Sequence, residues 1–140
     1  MEAVRLNYHP HILLAEDDSE LRELLMLVLS RAGYEVTCCN NGMELLDQLG
    51  QEERYDLILS DLRMPALTGL EVLESQFDNP RLPPFICMTA FGDTQTHALA
   101  KKFGAKAIID KPFDLDDLVE LIQKTCLRAE QKNLFARSRS

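Results

Sequence analysis

The chain has 140 residues, 46% of them hydrophobic, a formal charge of −8 and a pI near 4.8. That length suits one domain, since domains commonly run about 100–150 residues. The acidic balance excludes the basic face with which a direct nucleic-acid binder neutralises phosphates. No apolar run approaches the roughly 20 residues needed to span a bilayer, and the N-terminal MEAVRLNYHPHILLAEDD lacks the apolar core of a secretory signal. A cytoplasmic protein is expected, with no membrane and no direct nucleic-acid partner.

Residues 1–10 read as a tail, and HILLAE at 11–16 as a short apolar strand ending in acid. Asp18 is placed to cap a helix whose apolar face is Leu21, Leu24, Leu25, Val28 and Leu29. Gly33 ends it, and YEVTCC at 34–39 is β-rich. Asn41-Gly42-Met43-Glu44 resembles a capping box opening a second helix through about residue 52. DLILS at 56–60 is nearly continuous in apolar residues, as a strand buried on both faces should be. Thr68-x-x-Glu71 is a cleaner capping box for a third helix, which the cluster Asn79-Pro80-Arg81-Leu82-Pro83-Pro84 breaks. FICMT at 85–89 is the fourth strand, followed by a weaker helix from about Asp93 to Phe103 that Gly104 stops. KAIID at 106–110 makes the fifth strand, and Asp114 caps a last helix with Leu115, Leu118, Val119 and Ile122 on one face.

Strands alternating with helices imply parallel strands joined by crossovers, so the fold class is α/β, doubly wound, with helices on both faces of the sheet. Residues 11–127 form the domain. Residues 128–140 differ in character: Arg128, Lys132, Arg137 and Arg139 against Glu130 give a local charge of +3 and leave −11 for the rest. They are expected to be a basic tail, either a frayed helix end or the start of a linker. Cys38, Cys39, Cys87 and Cys126 lie in apolar stretches without C-x-x-C spacing, and are expected to be buried thiols rather than metal or redox groups. His9 and His11 flank Pro10, and His97 stands alone; no other ligand is spaced to join them, so all three are read as structural.

An open parallel sheet binds ligands beyond the carboxyl ends of its strands. There the chain delivers Glu16, Asp17 and Asp18 after the first strand, Asp61 after the third, Thr89 and Ala90 after the fourth, and Lys111 and Pro112 after the fifth. Glu16, Asp17 and Asp61 would repel one another without a cation, and oxygen-only ligands select a hard ion such as Mg²⁺. Asp18 alone is better read as a cap. Asp61 is the nucleophile candidate, because a carboxylate can form an acyl phosphate and phosphoryl transfer needs mainly positioning and charge neutralisation. Lys111 would offset charge as a mobile ammonium. The Thr89 hydroxyl would donate to a phosphoryl oxygen, with room left by Ala90.

Together these residues resemble the receiver domain of two-component response regulators. The resemblance covers about residues 11–127 and rests on Glu16-Asp17, DLRMPALTG at 61–69, MTA at 88–90 and KPF at 111–113. It implies a flavodoxin-like sheet of five parallel strands in the order 2-1-3-4-5. It implies that Asp61 is phosphorylated by a sensor histidine kinase or phosphotransfer protein, and that Glu16, Asp17, Asp61 and the Arg63 backbone carbonyl arrange Mg²⁺. Lys111 would pair with the phosphoryl group, and the Lys111–Pro112 bond would be cis. Switching would move Thr89 toward the phosphoryl group while a fifth-strand residue turns inward. That residue is Ile108, where the family often has Tyr or Phe, and an aliphatic side chain cannot swing a ring. Arg63 and Phe91, two residues beyond Asp61 and Thr89, would tune the lifetime of the phosphorylated state, with Phe91 hindering water.

Three other readings compete. A haloacid-dehalogenase-type phosphohydrolase generally carries a second Asp two residues after the nucleophile, where this chain has Arg63. A flavin binder would need a hydroxyl-rich or Gly-rich loop after the first strand, and EDDSE would repel phosphate. A receiver-fold module working without phosphorylation has Ile108 in its favour and Asp61, Thr89 and Lys111 against it. The chain would catalyse only its own phosphorylation and dephosphorylation. Its output partner is unknown, and it would act alone or as the N-terminal piece of a longer regulator, as a monomer or weak homodimer. The opening of the fifth strand, Lys106-Ala107, differs from the acidic pair of winged-helix regulators.

Overall fold

The computed structural model describes residues 9–90 and 93–139, with side chains described through residue 127. Five strands form one parallel sheet: β1 (His11–Ala15), β2 (Glu35–Cys39), β3 (Leu57–Asp61), β4 (Phe85–Ala90) and β5 (Ala107–Lys111), in the order β2-β1-β3-β4-β5. The strands are short and β-branched or leucine-rich, and parallel pairing obliges each to be linked by a crossover. The linking helices are α1 (Ser19–Arg31), α2 (Gly42–Leu49), α3 (Gly69–Ser75) and α4 (Thr94–Lys102), and α5 (Leu115–Arg139) follows β5.

Strand alternation splits the core in two. Leu13, Ala15, Ile58, Phe85 and Cys87 face α2, α3 and α4, meeting Leu45, Val72, Leu73 and Ala100. Ile12, Leu14, Leu57, Leu59, Ile86 and Met88 face α1 and α5, meeting Leu25, Leu29, Leu118 and Ile122. Each fully buried leucine or isoleucine contributes roughly 1.5–3 kcal/mol of transfer free energy. Every residue of β3 is buried, as a central strand covered on both faces requires.

Caps fix where the helices begin. The Asp18 carboxylate accepts the Glu20 and Leu21 N–H groups, and Thr68 and Glu71 form a reciprocal capping box. At Asn41 the side chain accepts the Glu44 N–H, but Glu44 reaches back to the N–H of Asn40 rather than of Asn41. Helix α2 stops at Leu49, short of residue 52, because Gly50 takes the C-cap and donates to Leu46 and Asp47. Leu24 is 43% exposed, since it lies about 100° round the helix from Leu25 and falls off the buried stripe. The last helix continues through Arg139. Gly33 and Gly104 both have φ of 99°, which lets the chain reverse from a helix into the following strand.

His11 starts β1, as expected, and its Nε2 lies 2.7 Å from Thr37 Oγ1. Cys39 and Cys87 are buried and Cys38 and Cys126 half-buried, and burial pushes the Cys39 and Cys87 thiols up to about 12. Among the described residues, no helix is long and apolar enough to cross a membrane.

Candidate functional site

Asp18 aside, the polar residues expected beyond the strands sit at the last two strand positions or within two residues after them. Asp61 ends β3, Ala90 and Lys111 end β4 and β5, and Glu16 follows β1. Parallel pairing lines up these ends. Asp61 pairs with Met88, Thr89 with Asp110, and Ala90 with Lys111.

Glu16 is fully buried, Asp61 is buried and Asp17 is exposed, and one carboxylate oxygen of each lies within 4.8 Å of the others. Lys111 Nζ donates to Glu16 Oε1 at 2.7 Å and to Asp61 Oδ2 at 2.8 Å. The other Asp61 oxygen, Oδ1, accepts the Arg63 N–H at 2.9 Å. Burial pushes the Glu16 carboxyl up to about 7, with the Asp61 charge adding to it and hydrogen bonds from Lys111 and the Asp18 backbone working against it. Burial alone would lower the Lys111 ammonium. Its hydrogen bonds to Asp61 and Glu16, with their charges, outweigh that and hold it above the ordinary lysine value. Three carboxylates with one ammonium leave a site that suits a hard cation, and among the described residues no histidine or cysteine joins them.

Thr89 is 1% exposed, and its Oγ1 is the one buried side-chain polar atom without a hydrogen-bond partner among the described residues. An orphaned hydroxyl costs stability unless a ligand or a second state satisfies it. The Lys111–Pro112 bond is cis. Ile108 is half-buried and packs against the α2–α4 side of the core. The Arg63 side chain does not turn back on Asp61; its guanidinium donates to Asp93 Oδ2 at 2.8 Å. Asp93 also accepts the Thr96 N–H, and hydrogen bonds from Thr96 and then Arg63 hold its carboxyl below the ordinary range. Phe91 lies outside the described residues.

Two groups beside the site carry no chemical signature in the sequence. Ser60 Oγ donates to the Asp61 carbonyl at 2.9 Å, and Gly69 lies so close that a Cβ would collide with that carbonyl and lie 2.7 Å from Ser60 Oγ. The glycine of the TG pair at 68–69 was the available signal. His97, read as standing alone, is paired: its Nε2 lies 2.6 Å from Asp110 Oδ1. The partners are 13 residues apart and on different elements, so spacing could not reveal them.

An α/β sheet with carboxylates, a lysine and a threonine gathered at its carboxyl rim defines a class of proteins built around a strand-end aspartate. The family model for the response regulator receiver domain matches residues 12–123, and the chain belongs to that family. It is a receiver domain of the two-component response regulators. Regulatory protein AtoC of Escherichia coli strain K12 is 34% identical over 113 residues, 81% of this chain and 24% of AtoC. Transcriptional regulatory protein FixJ of Bradyrhizobium diazoefficiens is 33% identical over 120 residues, 86% of this chain and 58% of FixJ. The chain thus spans only part of the length of these curated relatives. The solved CheY-like receiver domain protein of Methanospirillum hungatei JF-1 superposes with a TM-score of 0.83 at 26% identity, over 89% of this chain and 99% of that one.

Proposed function

We propose that Asp61 accepts a phosphoryl group from a phosphohistidine of a sensor kinase or phosphotransfer protein. The observation that carries this reading is the convergence on Asp61 of Lys111, Glu16 and Asp17, with the unpartnered Thr89 hydroxyl on the neighbouring strand. One Asp61 oxygen forms the new P–O bond as the donor's P–N bond breaks, and the leaving imidazole takes up a proton. Lys111 stays beside Asp61 and offsets the charge of the transferred group. Thr89 gains the acceptor it lacks, a phosphoryl oxygen, and its movement begins the switch. Ile108 supplies no ring to follow it.

The donor set fits Mg²⁺, which would be held by the Glu16, Asp17 and Asp61 carboxylates and the Arg63 carbonyl. Mg²⁺ neutralises charge on the phosphoryl oxygens when bound. Glu16 and Asp17 would hold the metal beside Asp61, and Glu16 also orients Lys111. In this reading the chain turns over no external substrate beyond the phosphodonor. It acts in the cytoplasm as a unit of residues 11–127, followed by a basic extension at 128–140, and signals to an output partner through α4, β5 and α5.

Mixing the chain with Mg²⁺ and acetyl phosphate should add one phosphoryl mass, and Asp61→Asn should add none. Omitting Mg²⁺ should abolish the gain. A wild-type chain that stays unmodified, or an Asp61→Asn chain modified equally, overturns the assignment.

A further inference from the structure

Helix α4 is the least anchored of the helices. Its one buried residue is Ala100, and Leu99 is exposed, whereas every other helix buries at least one leucine. Two polar clamps one turn apart make up for this. At the N-cap, Asp93 Oδ1 accepts the Thr96 N–H at 3.1 Å while Oδ2 takes the Arg63 guanidinium at 2.8 Å. Four residues on, His97 pairs with Asp110 of β5.

Both clamps end one step from the proposed phosphoryl-handling residues. Arg63 lies on the loop that follows β3, and its own N–H is bonded to Asp61. Asp110 is the strand partner of Thr89 and the residue before Lys111. Ile108 packs into the core and has no ring to move. Beside the movement of Thr89, the charged side chains of Arg63, Asp93, His97 and Asp110 thus offer a second route from the site to α4.

We propose that these clamps hold α4 in its unphosphorylated position, and that a phosphoryl group on Asp61 opens the first by competing for the Arg63 guanidinium. The inference rests on Asp61 being the phosphoacceptor. The Arg63 side chain is 71% exposed, and an exposed pair of this kind is weak. A phosphoryl group carries more charge than the Asp93 carboxylate and offers a guanidinium two parallel hydrogen bonds. When Arg63 leaves, Asp93 keeps its bond to the Thr96 N–H. Helix α4 then stays helical but loses its tie to the loop after β3, and keeps the His97–Asp110 pair to β5 and the packing of Ala100. That change displays a different α4 face to a partner.

Linkage makes this testable. A clamp that phosphorylation opens must, while closed, oppose phosphorylation by the same factor. Asp93→Asn keeps a capping oxygen and removes the charge. It should bind beryllofluoride with Mg²⁺ roughly two- to fivefold more tightly than wild type, the range expected for a weak exposed ion pair. Arg63→Ala loses the clamp and the phosphoryl partner together, and should bind more weakly.

The experiment uses the full 140-residue chain with Mg²⁺ and beryllofluoride. Fluorine NMR reads binding at Asp61, and hydrogen exchange reads the amides of residues 94–102. Loading should speed exchange in α4 of wild type severalfold. Asp93→Asn and His97→Ala should already exchange faster before loading. Beryllofluoride bound with α4 exchange unchanged, or with Asp93→Asn no tighter than wild type, overturns the clamps and leaves the phosphoacceptor standing. A gain in Arg63→Ala equal to that in Asp93→Asn overturns the competition step. Failure of wild type to bind beryllofluoride overturns the Asp61 assignment, and the clamps with it.

Discussion

Around Asp61 the backbone is packed too closely for any side chain at Gly69. A methyl group there would drive into the Asp61 carbonyl and crowd the Ser60 hydroxyl, both fixed in a buried strand. Gly69→Ala should cost roughly 1–3 kcal/mol of stability, the usual penalty of overpacking. A urea midpoint equal to wild type would show that the carbonyl can yield. Ala66 presents the opposite case, an alanine at φ of 68° in the loop between β3 and α3. Left-handed backbone costs an L-residue about 1–2 kcal/mol, and the added freedom of glycine in the unfolded chain offsets about 0.4–1 of that. Ala66→Gly is therefore expected to raise stability by up to roughly 1.6 kcal/mol, and a lower urea midpoint than wild type would contradict it. Sequence made Asp61, Lys111, Glu16 and Asp17 legible because unusual polar types recur at strand ends. Ser60 and the Asp93 and Asp110 pairs were not legible, because a lone serine and distant pairing leave no spacing to read.

Among the elements, α3 depends most on its cap. It has seven residues, and the Thr68–Glu71 box satisfies an amide at each side of its start. Thr68→Ala should cost about 1 kcal/mol, measurable as a lower thermal midpoint, while Thr68→Ser should restore most of it. Equal midpoints for the Ala variant and wild type would mean that packing of Val72 and Leu73 holds the helix unaided. This box was readable from Thr68-x-x-Glu71, whereas the matching pattern at Asn41 misled in part. Its glutamate selects Asn40, and Gly50 ends α2 before the polar run of residues 51–54. Type and order of elements follow from the period of apolar residues. Their ends depend on which neighbour wins a given amide.

For the whole molecule, the buried thiols and Tyr34 govern the alkaline limit. Burial raises Cys39, Cys87 and Tyr34 each to about 12, from ordinary values of 9.0 for the thiols and 10.0 for the phenol. The folded chain thus keeps protons that the unfolded chain releases. The stabilisation is complete below pH 9 and is lost as pH rises from 9 toward 12. Thermal midpoints should fall across that window, and less steeply in Cys87→Ala relative to its own neutral value. A flat profile to pH 11 would refute this.

The sheet order puts β3, buried along its whole length, at the centre, and β5, half-buried throughout, at an edge. Amides at the centre of a sheet open only when the entire chain unfolds, while edge strands open locally and often. The strand that carries Asp61 therefore keeps the slowest clock in the protein, and the strand that carries Lys111 runs on a faster one. Hydrogen exchange should therefore be slowest at the amides flanking Asp61 and faster at those flanking Lys111.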